Sequence, residues 1–441
     1  MITNSMTARL KPVQAGRASL VSVLDIGSTK ISCIVARLTP RAEGRSLRAR
    51  SHATEVIGFG YGASSGMKGG IIVDLKKAET AIRSVVSMAE KQAGLTIESV
   101  IVNVSGGNLG SQTLSASVLL GGQEVEKADL AKVLKSVNEC SVQENRSIIH
   151  ALPIGYSLDG QRGIENPCGM VGEKLGVDVA VISAKTQAMR NIELALNHCH
   201  IQVQALIATP YASALATLVD DEAQLGIACI DFGGANTTIS VFSEGQLVHC
   251  DSLNIGGQDI TLEIARQLSI SIEDAERIKT FYASVLPGQL DERELIPITP
   301  IGAIKGEAPN AITRSNLNRI IRPKVEEILT LVRDRMASAG MMDVAGRRFV
   351  LTGGASEFTG LSELATRMLS RHVRVGRPLG IAGLPEMAKS PAFATIAGML
   401  VYPQICHQEF IAPKTGNIFG ANNGYFSRIS NWLVTNFNKP S

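Results

Sequence analysis

No run of about 18 uncharged apolar residues occurs in the chain, so no segment is expected to cross a membrane as a helix. Arg9, Lys11 and Arg17 near the start are not followed by an apolar stretch. Residues 1–18 are therefore expected to be a disordered leader and not a signal peptide. The 7 cysteines form no CxxC pair and are odd in number, which argues for reduced thiols in a cytosolic protein and against disulfides or a zinc site. His198-Cys199-His200 does not restore a metal site. Histidines at i and i+2 point to different sides of a helix, so the triplet reads as a helix end. Charge of one sign is also scarce: the net charge is +3 with no long basic run, so no nucleic-acid partner is expected. Arg41, Arg45, Arg48 and Arg50 are interrupted by Glu43 and Gly44 and read as a solvated hairpin loop. Aromatic residues make up only 4% of the chain, and the single tryptophan is Trp432.

What remains is ordinary globular composition, 45% hydrophobic and 19% charged. A length of 441 residues allows two or more cores. LVSVLDIG, KISCIVARL and TEVIGFGYG are β-branched runs broken by Gly or Asp, and read as strands. LKKAETAIRSVVSMAEKQAG repeats apolar residues at helical spacing and stops at Gly94, a C-cap. After a mixed region the same logic restarts, with QALIA as a strand and PYASALATLV as a helix. LGIACIDFGGANTTISVF then gives paired strands around a Gly-rich turn. SIEDAERIKTFYA and LNRIIRPKVEEILTLVRDRMASAG read as helices. RRFVLTGGASEFTGLSELATRML reads as strand, Gly turn and helix.

The chemistry lies in the echo between the halves. LDIGSTKISCIVA and IDFGGANTTISVF share one layout: apolar strand, Asp, Gly turn, returning β-branched strand. Each Gly turn opens backbone N–H groups toward a bound anion, and phosphate suits such a nest. The carboxylates of Asp25 and Asp231 can hold Mg²⁺ through its waters, because Mg²⁺ keeps much of its hydration shell. Two such hairpins face to face would clamp a nucleoside triphosphate. A third element, VLTGGASEFTGL, offers Gly353-Gly354, where backbone could lie flat against a purine.

In this order the three motifs resemble the phosphate-1, phosphate-2 and adenosine motifs of the actin/Hsp70/sugar-kinase superfamily. GYGASSGMKGGIIVDLKKAETAI, ENPCGMVGEKLGVDVAVISA, GGQDITLEIARQL with DAERIK, and RPKVEEILTLV narrow the resemblance to the bacterial cell-division FtsA family. It covers residues 19–403 and resumes in the C-terminal tail. The resemblance implies an α/β fold of two actin-like (ribonuclease H-like) domains flanking a nucleotide cleft, with an FtsA-type inserted subdomain and a C-terminal amphipathic helix. The first domain would comprise residues 19–98, 184–222 and 385–403, and the insert 99–183. The second-domain core would be 223–258 and 345–384, with an outer subdomain at 259–344. A linker at 404–423 and a membrane-targeting helix at 424–438 would complete the chain.

Carried over by position, Asp25, Gly27, Ser28, Thr29 and Lys30 would form the first phosphate hairpin. Asp231, Gly233 and Gly234 would form the second, and Gly353 and Gly354 would border adenine. Glu276 and Lys279 share one helix face and resemble the pair that reaches ribose and base. ATP and Mg²⁺ are the implied cofactors. The implied role is an actin-like filament on the inner face of the cytoplasmic membrane that tethers FtsZ, with later division proteins at the insert. Arg314 matches a position that receives the FtsZ C-terminal peptide. With Arg319, Arg322 and Lys324 it lies on or near one predicted helix, opposite Glu326-Glu327.

Two departures bear on turnover. The family's second hairpin carries a third Gly and a final Asp where this chain has Ala235 and Thr238. Actin-like ATPases place Glu or Gln at the head of the helix after QALIA, and here Thr209 stands there. A hydroxyl does not serve as a carboxylate base near neutral pH, so slow or negligible hydrolysis is expected. Rival readings are a sugar kinase, an Hsp70-like chaperone and a PilM-like platform. The first lacks an evident catalytic Asp, and the second lacks a substrate domain after residue 403.

The tail separates the third. At 100° per residue Phe426, Ile429, Leu433 and Phe437 fall within about 80° of one another, and Trp432 extends the arc. About 13 residues reach only ~20 Å, too short to cross a bilayer but suited to lying in its surface. Trp favours the headgroup boundary. Only Arg428 charges the polar face, so insertion of apolar side chains must dominate over attraction to anionic lipid.

Overall fold

The computed structural model describes residues 10, 12–14, 16–41, 50–137, 145–289, 291–302 and 310–409 of the chain. The first hairpin joins β1 (Ser19–Ile26) to β2 (Lys30–Pro40), with Asp25 opposite Ser32. β3 (His52–Ala63) completes an antiparallel meander, and a ribbon of β4 (Met67–Lys68) and β5 (Ile71–Ile72) follows. α1 (Leu75–Ala93) starts at Asp74, whose carboxylate accepts the Lys77 N–H, and ends as expected at Gly94, φ +69°. Its Ala78, Ile82, Val85, Val86 and Ala89 recur at helical spacing and are buried against the meander. β6 (Ser99–Val104) then runs parallel beside β1.

The insert consists of β7 (Gly110–Leu119), α2 (Lys127–Val137), β8 (Arg146–Leu158), β9 (Gln161–Ile164) and β10 (Lys174–Lys185). Along α2, Leu130, Val133, Leu134 and Val137 pack on alternate residues of β10, giving the insert its own core. α3 (Thr186–His198), β11 (Gln202–Ala208) and α4 (Thr209–Thr217) return the chain to the first domain. Cys199 caps α3 and His200 takes φ +61°, the helix end expected of that triplet.

The second domain opens with α5 (Asp220–Leu225) and repeats the hairpin as β12 (Ile227–Phe232) and β13 (Thr237–Ser243), with Asp231 opposite Thr238. β14 (Gln246–Leu253), α6 (Gly257–Leu268), α7 (Ile272–Tyr282), β15 (Leu295–Ile298) and β16 (Asn310–Thr313) follow. Next come α8 (Arg314–Ser338), α9 (Met341–Val344), β17 (Arg348–Thr352), α10 (Leu361–Leu369) and β18 (His372–Val375). β19 (Ile381–Ala382) and α11 (Ala394–Ile405) rejoin the first domain.

The first-domain sheet runs β11-β6-β1-β2-β3-β19, and a second sheet runs β18-β17-β12-β13-β14-β7-β10-β8-β9. The latter fuses the second domain to the insert through a single rung, Asp251 opposite Gly110. The Ser111 hydroxyl stitches this seam, accepting from Cys250 N at 2.7 Å and lying 3.0 Å from Cys250 O.

Several expected boundaries move. Residues 99–104 belong to the first-domain sheet, because β6 is hydrogen-bonded between β1 and β11, so the insert starts after them. Residues 381–382 pair with β3 and not with the second domain. The body continues past residue 403, since α11 runs to Ile405 and a 3₁₀ turn spans Cys406–Gln408. Arg50 is not solvated: it is buried and donates to Leu379 O and, at 3.1 Å, to Leu215 O, closing the C-terminal turn of α4. Glu326 and Glu327 do not oppose the basic residues of α8 but pair with Arg322 (2.7 Å) and Lys324 (2.8 Å), one turn away. Phe426, Ile429, Trp432, Leu433 and Phe437 lie outside the described residues.

Candidate nucleotide site

The two Gly turns are the same structure used twice. Gly27 N donates to Lys30 O at 3.0 Å, and Gly233 N donates to Asn236 O at 3.1 Å. In both, a Cβ on the glycine would sit 2.7 Å from that carbonyl oxygen, so the tight turn itself demands glycine. The turns meet across the cleft, with the Thr29 side chain resting on Gly234 and Gln258 Nε2 donating to Ser28 O at 3.3 Å. Asn236 Nδ2 spans the domains as well, donating to Ser105 O at 2.7 Å. The expectation that the hairpins face one another is met in the geometry.

Asp25 and Asp231 are buried at the inner ends of these strands. Burial pushes the Asp25 carboxyl up to about 6; Lys30 opposes the shift and Asp231 adds to it. Burial also raises Asp231, against hydrogen bonds from Ser213 and Thr395. The Lys30 ammonium is lowered to about 8 by burial, opposed by Asp25, Asp231 and Glu357. It donates to Ala392 O and stands 3.2 Å from the centre of the Phe393 ring. Two buried carboxylates with raised pKa, beside one cation and open N–H turns, form a donor set that fits a hydrated Mg²⁺ with phosphate oxygens. Among the described residues no group of three or more His, Cys, Asp or Glu could hold a metal, so ligands beyond this pair would be water and phosphate.

The N-terminus of α6 lies beneath the second turn, where Gly257 N and Gln258 N donate to Gly233 O (2.9 Å) and Gly234 O (2.7 Å). Lys279 comes up from α7 to the same place, donating to Gly257 O (3.0 Å), Thr261 Oγ1 (2.8 Å) and Glu276 Oε2 (2.6 Å). Its side chain is only 8% exposed against 45% for Glu276, so the pair is a buried strut with one wet end and not a surface salt bridge. Gly353 adopts φ +84°, and a Cβ there would collide with Asp231 Oδ1 and Phe232 O. Its glycine requirement comes from backing the second hairpin; Gly354 faces Ala392 with room for a Cβ.

Thr209 begins α4, as expected, and is buried. Its hydroxyl accepts from Asn103 Nδ2 at 3.2 Å, while Asn103 Oδ1 accepts from Ile26 N at 2.7 Å. Asn103, Ser213 and Thr395 escaped sequence reasoning, although a lone Asn inside the apolar strand SVIVNV was a legible signal. A cavity bounded by Tyr211, Leu215, Leu218, Phe242 and Val401, with Arg50, Gln246 and Gln408 also lining it, lies on the opposite face of α4 from Ser213. Arg314 sits apart from the cleft. It pairs with Glu294 at 2.9 Å and Asp291 at 3.8 Å, and donates to Tyr282 O at 3.2 Å.

Comparison with known proteins accords with this geometry. The sequence profile of "Cell division protein FtsA" matches residues 228–398, and that of "SHS2 domain inserted in FTSA" matches residues 106–183. The chain is 50% identical over 431 residues to the cell division protein FtsA of Agrobacterium fabrum, covering 97% of each chain. It is 31% identical to FtsA of Pseudomonas aeruginosa, covering 88% of this chain and 90% of that one. It is 28% identical to FtsA of Escherichia coli, covering 96% and 100%. In fold it is similar to the PilM-PilN type IV pilus biogenesis complex, with a TM-score of 0.60 at 15% identity over 87% of this chain and 98% of that one. It is also similar to MreB5 of Spiroplasma citri bound to ADP, with a TM-score of 0.51 at 13% identity over 88% and 96%. With its actin-like domains and inserted SHS2 unit, the chain belongs to the FtsA family of cell-division proteins.

Proposed function

We propose that this protein binds ATP with Mg²⁺ between its two hairpins, assembles into actin-like filaments on the inner face of the cytoplasmic membrane, and tethers FtsZ there. The observation that carries the nucleotide reading is the repeated turn, two Gly turns closed by the same N–H···O bond and each backed by a buried Asp. The N–H groups at the tips of the turns, residues 28–29 and 234–235, would receive phosphate oxygens. Asp25 and Asp231 would orient metal-bound water, and Lys30 would supply the balancing charge. Mg²⁺, when bound, neutralises phosphate charge. Glu276 and Lys279 would meet the ribose edge, with Gly353 and Gly354 beside the base.

Turnover is expected to be slow, because Thr209 occupies the head of α4 and its hydroxyl is already held by Asn103. Purified protein should bind a fluorescent ATP analogue in a Mg²⁺-dependent way, and Asp231→Asn should weaken that binding at least tenfold. Hydrolysis at a median enzyme rate of ~10 s⁻¹ would overturn the slow-turnover part alone.

For FtsZ, Arg314 at the start of α8 is the proposed contact for its C-terminal peptide. Its side chain is 25% exposed and already balanced by Glu294 and Asp291, so an arriving carboxylate would have to displace them. Peripheral attachment through Phe426, Ile429, Trp432, Leu433 and Phe437 accords with the finding that no helix among the described residues is long and apolar enough to cross a membrane.

A further inference from the structure

α11 is buried along its whole length, ~18 Å for 12 residues, and its two ends are fastened to different parts of the molecule. At the front, Lys30 holds Ala392 O and the Phe393 ring just before the helix starts. Thr395 Oγ1 donates to Asp231 Oδ2 at 3.2 Å, and Ser213 of α4 donates to the same oxygen. The front of α11 therefore touches both hairpins.

At the back, Glu409 turns inward with its side chain 1% exposed, and its Oε1 lies 2.9 Å from Nδ1 of the fully buried His150 on β8. His150 Nε2 accepts the backbone N–H of Ala208 at 2.9 Å, which fixes the hydrogen on Nδ1 and aims it at Glu409. The rings of Tyr211 and Tyr402 stand edge-on to the imidazole at 5.1 and 5.6 Å and exclude water. Ala208 immediately precedes Thr209, which reaches Ile26 of the first hairpin through Asn103. The contacts close a circuit. It leaves the first hairpin at Lys30, runs along α11 to Glu409, crosses His150 to the head of α4, and returns at Ile26.

We propose that this circuit is a nucleotide-sensitive bolt on the chain at Glu409, the last of the described residues. The proposal rests on the nucleotide reading above. Phosphate at the first turn competes with Ala392 O and Phe393 for the Lys30 ammonium, so the two states differ in what holds the front of α11. A ligand shifts an equilibrium only by such a difference in affinity. Moving the front of a rigid, buried helix loads its back, where the His150–Glu409 contact loosens. Coupling is reciprocal, so a broken bolt must also alter nucleotide affinity.

Two measurements on the full chain test this. In the unaltered protein, Mg²⁺-ATP should speed hydrogen exchange at the Ala208 amide. Glu409→Ala should bind ATP about fivefold or more tightly than the unaltered chain. Glu409→Gln, which keeps an oxygen acceptor for Nδ1–H, should return affinity to within about twofold. A role confined to local packing would lower the melting temperature without moving affinity at a site so far away. ATP binding with unchanged Ala208 exchange overturns the bolt while leaving the nucleotide reading intact, as does unchanged affinity in a folded Glu409→Ala. Failure of the unaltered chain to bind ATP removes the nucleotide reading and the bolt together.

Discussion

Asp25 shows how one residue can trade stability for binding. Its carboxyl titrates near 6 in the folded protein, above its value of 3.8 in the open chain. A folded-state pKa that is raised favours the protonated form. The stability it contributes is therefore fully present below about 4 and is lost as pH rises through about 6. At neutral pH the ionised group is a burden that a bound cation would relieve. Asp25→Asn should accordingly raise the melting temperature of the nucleotide-free protein at pH 7.5 by about 2 °C or more, while abolishing the further rise given by Mg²⁺-ATP. In the unaltered protein, Mg²⁺-dependent affinity should fall about fivefold between pH 6 and pH 5, where metal must displace a proton, and should be level above pH 7. Calorimetry across that range decides it: a flat profile would remove Asp25 from the metal site. At this scale the sequence was informative for residues that sit in a repeated motif, because the two Asp-Gly turns could be matched to each other. It was silent on the contact between Lys30 and Phe393. Their partnership spans 363 positions and has no local signature.

Among the elements, α11 was the least legible. Its sequence ATIAGMLVYPQI is apolar on every side and contains β-branched residues and a proline, so no 3.6-residue period marks it as a helix. The same burial explains its precision. A Cβ at Gly398 would penetrate Ala212 O, which makes the crossing of α11 with α4 too close for any side chain. Gly398→Ala should cost about 2–3 kcal/mol, read as an earlier first transition in urea, because neither helix can retreat without disturbing a phosphate hairpin. By contrast α1, with its Asp74 cap, apolar stripe and terminal Gly94, could be drawn from sequence almost to the residue. The boundary errors were errors of partnership. Whether residues 99–104 joined the insert or the first sheet depended on pairing with β1 and β11, which lie far off in sequence.

At the scale of the whole molecule, function depends on parts that a single fold joins loosely. The insert's four strands continue the second domain's sheet through one rung. The proposed membrane reading rests on a short sequence with one cation on its expected polar face, and one such segment would bind weakly. Many of them on a filament would hold firmly, since attachment of the first raises the local concentration of the rest. Trp432→Glu should therefore release the protein from liposomes in co-sedimentation while leaving ATP affinity within about twofold. Retention of the variant on liposomes would argue that the segment is not the anchor.

The touching turns have a kinetic consequence. Thr29 already rests on Gly234, and Gln258 bridges to Ser28, so on the proposed nucleotide reading the jaws would have to part before a triphosphate entered. Entry is then a two-step event whose observed rate climbs with ATP concentration only until jaw opening becomes limiting, and stopped-flow mixing should show that plateau. A gate of this kind would make the time for which a filament subunit stays loaded depend on how often its jaws open, and little on how much nucleotide the cell contains.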